Sequence, residues 1–425
     1  MVIILKSKLI LDSFLHLFIQ MKKFFFLFLI AATTIISCEQ NKVTTLSASD
    51  ETAIDTASSS CPFLTRDNKG NIVLSWVRKT DNSNALFCYA ISTDGKTFGK
   101  TIQIPSSTSI HAHAENLPKL IFKPSGEIIA VWGAANPNPE NSYSGLVYYS
   151  RSFDDGKSWS KATRLVKDTS GYDQRYFDVA LLPDGEAAII WLDNRKKTIK
   201  EGSALYYATT NKNDGFINEK LISEPCCECC RTKLFIDSKK NIHTLYRAIL
   251  NDSIRDMVHA VSTDGGNSFS SPVKISNDNW VINGCPHTGP TMAENKNGLH
   301  FAWFTAGTGT GVFYNKSTDN GNTFSAKDSL SSRSGRHPQV QKMPDGDIAI
   351  TWDESFANGS SYNSRIGIQI RNAEGKEILK DFVTTINGSA TYPVLLPLNS
   401  NSFLVAYTGS NKDKSNVFYK TVTVR

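Results

Sequence analysis

Four cysteines crowd into five consecutive residues of the chain, two on each side of Glu228. Thiolates combined with imidazole bind soft metal ions such as Cu(I) or Zn(II), and the sequence does not identify which cofactor is bound. It therefore predicts a copper or zinc site assembled from several parts of the chain. The candidate ligands are Cys226, Cys227, Cys229, Cys230, Cys285, His287, Cys61 and His113.

Two other interpretations of these cysteines remain open. An exported protein favours disulfides, and the six cysteines of this set would form three bridges. Alternatively, Cys227 and Cys230 have the C-x-x-C spacing of a redox-active thiol pair, as do Cys226 and Cys229. Cys88 lies within an apolar run and is expected to be a buried core residue.

The elements that must position these residues are short hairpins that recur along the chain. Each has an apolar run, a polar turn and a second apolar run that ends in an aromatic residue, a pattern typical of β-hairpins. The period is about 55 residues, which indicates a repeat architecture. The closing aromatics are Trp76, Trp132, Trp191, Tyr246, Trp303, Trp352 and Tyr407.

A third β-rich run follows each hairpin, for example at residues 146–149 and 312–314. Four strands per repeat, arranged around a ring, predict an all-β fold, a β-propeller, over residues 61–425. We count seven blades, with six as the alternative if one repeat is irregular. The last repeat lacks an outer strand, and a strand near residues 43–47 can supply it and close the ring.

In a propeller, the residues just before the first strand of each blade and just after the second converge on one funnel. His113, His287 and His337 occupy equivalent positions there in different blades, which favours contact with a ligand or metal. Arginine suits the binding of an anion because its guanidinium holds a carboxylate through two hydrogen bonds. The funnel positions also hold the polar residues Glu115, Asp178, Asp193 and Tyr392 and the arginines Arg231, Arg336, Arg175 and Arg247.

Acidic turns follow several of the third strands and fit S-x-D-x-G-x-x-[WF] at residues 152–159, 262–269 and 317–324. The aspartate can accept backbone N–H bonds within the turn, and the glycine supplies a positive φ. These turns resemble the Asp-box (BNR) repeats of the sialidase superfamily. The resemblance implies a propeller that works as an exo-glycosidase of the sialidase type or as a glycan-binding protein.

The resemblance also implies a particular site. Family members clamp a carboxylate with three arginines and use a tyrosine nucleophile paired with a glutamate, together with an aspartate acid/base. Tyr392 opens the last inner strand, where the family tyrosine lies, and Arg231 and Arg336 open earlier ones. The resemblance therefore implies catalytic roles for Tyr392, Glu115, Asp178 and Asp193. It implies substrate binding by Arg231, Arg336, Arg175 and Arg247. Cys61 stands where the family has its first arginine. A metal-binding or redox propeller and a non-catalytic binding module at the cell surface remain as alternatives.

The N-terminal residues resemble a targeting sequence. From Met21, two lysines precede an apolar run and small residues, which is typical of a secretory signal. Residues 35–38 resemble the lipobox of bacterial lipoproteins, so we expect a signal over 1–37, lipid on Cys38 and a tether over 38–60. This predicts an extracytoplasmic protein anchored to a membrane, in the periplasm or on the cell surface.

The composition limits the partners. The 425 residues include 46 Lys and Arg against 40 Asp and Glu, for a formal net charge of +6. This excess is too small to favour nucleic acid. The expected partners are the membrane, through the lipid, and a glycan or small anionic ligand in the funnel.

Overall fold

The computed structural model describes residues 45–425 except 82–83, 196–200, 213, 360, 386–387 and 412–413. The predicted signal, Cys38 and the first part of the tether therefore lie outside the described residues. Within the described part, no helix is long and apolar enough to cross a membrane.

The strands form seven antiparallel sheets. The chain starts with β1 (Leu46–Ala48) and β2 (Thr52–Ala53). Blade 1 contains β3 (Ser59–Arg66), β4 (Ile72–Lys79), β5 (Ala85–Ser92) and β6 (Ile102–Ile104). Short 3-10 helices at Pro105–Ser107 and Ala114–Asn116 lead to blade 2, with β7 (Lys119–Phe122), β8 (Ile128–Ala135), β9 (Gly145–Ser152) and β10 (Thr163–Arg164). Blade 3 contains β11 (Gln174–Leu181), β12 (Ala187–Asp193), β13 (Ser203–Thr210) and β14 (Phe216–Cys226).

The remaining blades repeat this order. Blade 4 contains β15 (Lys233–Ile236), β16 (Ile242–Arg247), β17 (Met257–Ser262) and β18 (Val273–Lys274). Blade 5 contains β19 (Thr291–Asn295), β20 (Gly298–Thr305), β21 (Gly311–Ser317) and β22 (Asp328–Ser329). Blade 6 contains β23 (Gly335–Lys342), β24 (Ile348–Asn358), β25 (Ser361–Arg371) and β26 (Glu377–Phe382). Blade 7 contains β27 (Ser389–Asn399), β28 (Ser402–Asn411) and β29 (Lys414–Val424).

The first strands of the blades form the inner ring. Each contacts the first strand of the next blade, and β27 contacts β3, so the circle is complete. The prediction of a seven-bladed propeller is confirmed, and the six-bladed alternative is wrong. The ring matters for function because it brings the first strands of all seven blades around one channel.

An N-terminal strand closes the ring, as predicted. Strand β1 pairs with the end of β29, with Leu46 opposite Val424, so it begins slightly later than the expected 43–47. Strand β2 also pairs with β29, which the sequence did not indicate. Part of the predicted tether is therefore built into blade 7.

The closing tryptophans of the hairpins are fully buried. A buried indole N–H needs an acceptor. Trp303 donates to Asp278 at 2.7 Å and Trp352 donates to Glu354 at 3.0 Å. Several blades thus include a structural carboxylate beside the tryptophan, which sequence reasoning had not separated from catalytic carboxylates, whereas the indole N–H of Trp132 has no partner among the described residues.

The acidic turns lock each blade onto the preceding one. In the blade 2 turn, Asp154 accepts hydrogen bonds from the backbone N–H and hydroxyl of Ser158 at 2.9 and 2.6 Å. Gly156 has a φ of +82°, and a Cβ there would overlap the hydroxyl of Tyr89 in blade 1. Only glycine meets both requirements, which explains the residue at this position.

We expect Asp154→Asn to remove part of the acid sensitivity of folding. Hydrogen bonds from Ser158 lower the pKa of Asp154 to about 2. The stability that this ionised carboxylate contributes is present above its unfolded pKa of about 4 and is lost as pH falls through about 2. Urea unfolding should therefore change less between these pH values in the variant than in the parent. Asp155→Asn, one residue away, is the matched control and should keep the parental pH dependence.

Buried ion pairs also join neighbouring blades. Lys123 follows β7 of blade 2, and its side chain is only 2% exposed. Its ammonium lies 2.9 Å from Glu127 of the same hairpin and 2.7 Å from Glu186 of the blade 3 hairpin. A single buried cation therefore depends on carboxylates from two blades.

Candidate functional site

Four blades open their inner strand with a residue in the left-handed region. These residues are Cys61, Tyr176, His337 and Tyr392, with φ of 58°, 55°, 50° and 52°. Each lies at a break in strand register, where one strand carries an extra residue. Non-glycine residues in this conformation cost about 1–3 kcal/mol each and cluster at functional sites. The strain marks the end of the channel where the funnel was predicted.

Glu115 is the buried centre of this funnel. It lies on the 3-10 turn that precedes the inner strand of blade 2, and its side chain is 0% exposed. Its Oε2 is 3.1 Å from Nε of Arg231, and its Oε1 is 3.5 Å from Nε2 of His337. Side chains from blades 4 and 6 thus meet a carboxylate from the turn before blade 2.

His337 is held from its other side. Its Nδ1 lies 2.7 Å from Oδ2 of Asp353, and the same oxygen accepts the backbone N–H of Tyr392 at 2.7 Å. The rings of His337 and Tyr392 stack with centroids 3.9 Å apart. Asp353 therefore fixes both strained residues, and it aims Nε2 of His337 at Glu115.

The polar atoms at this centre are under-satisfied. Among the described residues, neither oxygen of Glu115 has a hydrogen-bond partner of suitable geometry, nor do Nε and Nη2 of Arg231. An unsatisfied buried polar group costs about 1–3 kcal/mol, so such groups call for a functional explanation. These atoms have free capacity to bind a ligand.

Burial governs the protonation of the two candidate catalytic groups. It raises the pKa of Glu115, and the charges of Arg231 and His337 oppose this rise only in part. Burial also raises the pKa of Tyr392, with the charge of Glu115 as the next contribution and Arg231 acting against it. The phenol of Tyr392 is thus within electrostatic reach of both Glu115 and Arg231.

Three of the clustered cysteines bring their sulfur atoms together. The Sγ of Cys227 is 3.7 Å from those of Cys229 and Cys230, and all three side chains are buried. The Sγ of Cys229 also lies within 4.8 Å of the Sγ of Cys285 and a ring nitrogen of His287. None of the seven cysteines that the structure describes is in a disulfide. These five residues are the ones that could hold a metal ion.

Two arginines accompany the thiols. Arg247 was predicted to bind substrate, but its Nε donates to Sγ of Cys230 at 3.3 Å. Its remaining N–H groups donate to backbone carbonyls, among them that of Phe304 at 2.9 Å. Hydrogen bonds from the thiols of Cys229 and Cys230 lower the pKa of Cys227, and the charge of Arg247 acts in the same direction. Arg247 therefore donates to a thiol and to backbone carbonyls, and its guanidinium is not available to a substrate in the funnel.

Three of the predicted metal ligands, Cys226, Cys61 and His113, lie outside these groups. Cys226 is buried, and its Sγ faces the carbonyl oxygen of Ser223 at 3.6 Å. Cys61 is also buried, and its thiol faces the hydroxyl of Ser60 at 3.6 Å. The three-disulfide hypothesis requires a sulfur partner for each of these two cysteines, and the described geometry provides none.

His113 lies between the thiols and the funnel. Its ring is 6.2 Å from that of His287 and 6.0 Å from that of Tyr176. Burial lowers the pKa of His113 to about 4, with His111 as the next contribution, so its ring is neutral at pH 7. Its Nδ1 has no hydrogen-bond partner among the described residues.

Asp178 and Asp193 are each engaged elsewhere. Asp178 lines the cavity inside the channel, with Lys119 and Lys233 at 3.4 and 3.3 Å. Although burial alone would raise its pKa, the two lysines bring the pKa of Asp178 below its ordinary value. Asp193 accepts the indole N–H of Trp191 at 3.1 Å and pairs with Arg195 at 3.2 Å, as a structural carboxylate would.

The last two predicted arginines differ in whether a carboxylate neutralises their charge. Arg175 is held by Asp173 through two hydrogen bonds of 2.5 and 2.6 Å. Arg336 makes no ion pair within the described part of the chain, and its guanidinium lies 3.8 Å from the ring centroid of Phe304. Arg336 therefore keeps a charge available for an anion.

Arg255 was not predicted, although it belongs with the thiols. The charge of Cys227 raises the pKa of Arg255 against the effect of burial. It lies in the loop between β16 and β17, two residues before the third strand of blade 4 begins. This is neither of the two strand ends from which the funnel was predicted, so its position in the sequence did not single it out. The equivalent positions at the starts of the blades, by contrast, did indicate His337.

The fold is shared by known proteins of low sequence identity. A protein of unknown function from Dyadobacter fermentans DSM 18053 is 17% identical, with a TM-score of 0.55 over 89% of this chain and 99% of its own. The polysaccharide lyase Uly1 is 11% identical, with a TM-score of 0.51 over 87% and 90%. The K499G mutant of the sialidase NanB from Streptococcus pneumoniae is 11% identical, with a TM-score of 0.48 over 85% of each chain. No protein-family model and no curated protein matches the sequence.

Proposed function

We propose that the chain hydrolyses acidic glycans in the funnel, with Tyr392 as nucleophile and Glu115 as its base. The observation that carries this is the buried carboxylate of Glu115, whose oxygens lie beside Arg231 and His337 without a hydrogen-bond partner among the described residues. A carboxylate in this setting has a raised pKa and is a stronger base than an exposed one.

The pKa values suit a concerted proton transfer. Burial makes the free phenolate of Tyr392 costly, so the phenol must lose its proton as it attacks the anomeric carbon. Glu115 accepts that proton. Tyrosine is an accepted nucleophile among glycosidases, because a neighbouring carboxylate can take its proton. His337, whose Nδ1 is held by Asp353 and whose Nε2 lies 3.5 Å from Glu115, protonates the departing oxygen. Water then attacks the anomeric carbon and gives its proton to His337, and the freed Tyr392 oxygen takes its proton back from Glu115.

Two arginines give the funnel its preference for an anion. Arg231 lies beside Glu115, and Arg336 is not neutralised by a carboxylate within the described residues. Cys61 occupies the place of a third arginine and is a buried thiol whose pKa burial raises to about 11. The carboxylate of a sugar acid would therefore be held by two guanidinium groups.

The test is product formation by the purified chain on acidic oligosaccharides that carry sialic acid or uronic acid. New reducing ends without an unsaturated sugar would support hydrolysis. An unsaturated product would show elimination and overturn the proposal. Binding without turnover, measured by calorimetry on the same oligosaccharides, would make the funnel a binding site and would also overturn it.

We expect Arg336→Gln to raise KM for an acidic glycan about 10- to 100-fold, because a charge-assisted hydrogen bond contributes about 1.5–3 kcal/mol. The affinity for a neutral analogue should change little. Arg333→Gln removes an exposed arginine three residues away and is the matched control. An equal loss for acidic and neutral sugars would contradict an anion-binding role for Arg336.

We also propose that the chain is exported and anchored through lipid on Cys38. The support is the lipobox-like Ile35-Ile36-Ser37-Cys38 and the basic and apolar residues that precede it. Cys38→Ser should abolish incorporation of radiolabelled palmitate and release the protein from the membrane fraction. A variant that remains labelled and membrane-bound would refute this anchor.

A further inference from the structure

The sulfur atoms of Cys227, Cys229 and Cys230 are arranged as the donors around one metal ion would be. Two of their separations are 3.7 Å. A tetrahedral ion with metal–sulfur bonds of about 2.3 Å has donor–donor edges of about 3.8 Å. All three sulfurs also lie within 4.8 Å of one another, so they form one face of such a tetrahedron.

Two cationic side chains lie beside the cluster. Nε of Arg247 points at the Sγ of Cys230, and the guanidinium of Arg255 interacts with Cys227. Three buried thiolates without a cation would repel one another strongly. A divalent ion together with the two guanidinium groups would neutralise that charge.

A disulfide explains the geometry less well. The thiols of Cys226 and Cys61 face Ser223 and Ser60 and are not available as partners. The competing arrangement is therefore a Cys227–Cys230 bridge together with a Cys229–Cys285 bridge. Two separate bridges give no reason for the Sγ of Cys227 to lie equally close, at 3.7 Å, to those of Cys229 and Cys230, whereas a shared metal ion does.

The fourth donor comes from an exposed loop. Cys285 and His287 are both exposed, and each places a donor atom within 4.8 Å of the Sγ of Cys229. His287 has a φ of 48°, a conformation that is strained for histidine. Strain of this kind is retained where it positions a functional group.

We propose that Cys227, Cys229 and Cys230 bind one zinc ion, and that the loop containing Cys285 and His287 supplies the fourth ligand. The site is separate from the glycan chemistry proposed above. The ring of His287 lies 6.2 Å from the ring of His113, so the proposed metal site is at the border of the funnel. Zinc has no redox chemistry of its own, so no electron transfer is involved.

The first experiment counts metal in the full chain, purified without chelator and under argon. Elemental analysis should find one zinc ion per chain. Replacement by Co(II) should give the thiolate-to-cobalt charge-transfer band in the near ultraviolet. Cys229→Ser and Cys230→Ser should each lower zinc affinity at least about 100-fold. Cys226→Ser, in the same pentapeptide, is the matched control and should retain the zinc and the cobalt band.

Variants of the exposed loop keep the test valid if the core variants fail to fold. Cys285→Ser or His287→Ala should weaken zinc binding about 10- to 100-fold and alter the cobalt spectrum, with unchanged circular dichroism. Copper in place of zinc would overturn the assignment of the ion. Normal metal binding by both loop variants would overturn the assignment of the fourth ligand. Absence of metal and of a cobalt band, with fewer reactive thiols after denaturation than the seven cysteines of the described part of the chain, would overturn the site in favour of disulfides. Neither measurement requires glycan activity, so the two proposals fail independently.

Discussion

We expect Glu115→Gln to lower kcat/KM for an acidic glycan by about 10²- to 10⁴-fold, the usual contribution of a general base. Glutamine keeps the shape of the side chain but cannot accept the proton of Tyr392. Steady-state kinetics on the oligosaccharides that the parent chain cleaves would measure the loss. Tyr392→Phe should cause a similar loss, and the double variant should be little worse than either single one, because the two residues act in one step.

The pH profile separates this role from a structural one. Since burial raises the pKa of Glu115, activity should fall on the acid side at a pH above the ordinary range of a carboxyl group. Arg231 opposes that rise, so Arg231→Gln should move the acid limb of kcat/KM to still higher pH. Asp193→Asn alters a buried carboxylate held by Trp191 and Arg195, and it should lower stability while leaving the pH profile in place. An unchanged kcat/KM in Glu115→Gln would refute the proposed base.

Lys123→Met should destabilise the propeller by about 3–5 kcal/mol, the usual result of removing one partner from a buried ion pair. The substitution removes the cation that Glu127 and Glu186 share, so the negative charges of two carboxylates from neighbouring blades are less well balanced by positive charge. Urea unfolding at pH 7, followed by tryptophan fluorescence, would measure the change in the free energy of unfolding.

The same substitution at Lys69 provides the control. Lys69 lies 3.9 Å from Asp155, and both side chains are about two-thirds exposed. An exposed ion pair contributes about 0–1 kcal/mol, so Lys69→Met should change stability little. Equal effects of the two substitutions would show that the ion pairs at Lys123 do not hold the blades together.

The repeat made the fold predictable, because hairpin turns, closing aromatics and acidic turns are local signals. The orientation of individual side chains is not a local property. Cys226 and Cys227 are adjacent in sequence, but only Cys227 faces the other thiols, because Cys226 ends a strand and is turned toward Ser223. Likewise, Asp193 and Asp353 both follow the second strand of a blade, but Asp193 supports a tryptophan and Asp353 supports the funnel.

The arginines show the same limit. Arg231, Arg247 and Arg336 all lie at strand ends facing the channel, so spacing alone assigned each of them to an anion. In the structure, Arg231 pairs with Glu115 and Arg247 donates to the Sγ of Cys230. Arg336 makes no ion pair with a carboxylate among the described residues. Which neighbour a guanidinium meets depends on contacts between blades that are distant in sequence, and no local pattern encodes these contacts.

The pairing of β1 with β29 has a consequence for biosynthesis. Leu46 lies opposite Val424, so the last contact of the ring joins segments that leave the ribosome at very different times. Contacts between such distant residues form slowly. Until β29 has been synthesised, blade 7 has no partner for β1, and its incomplete sheet leaves an edge that can pair with other chains. The nascent chain must therefore be shielded from aggregation until β29 has been made, and the ring can close only after nearly all of residues 46–424 have left the ribosome.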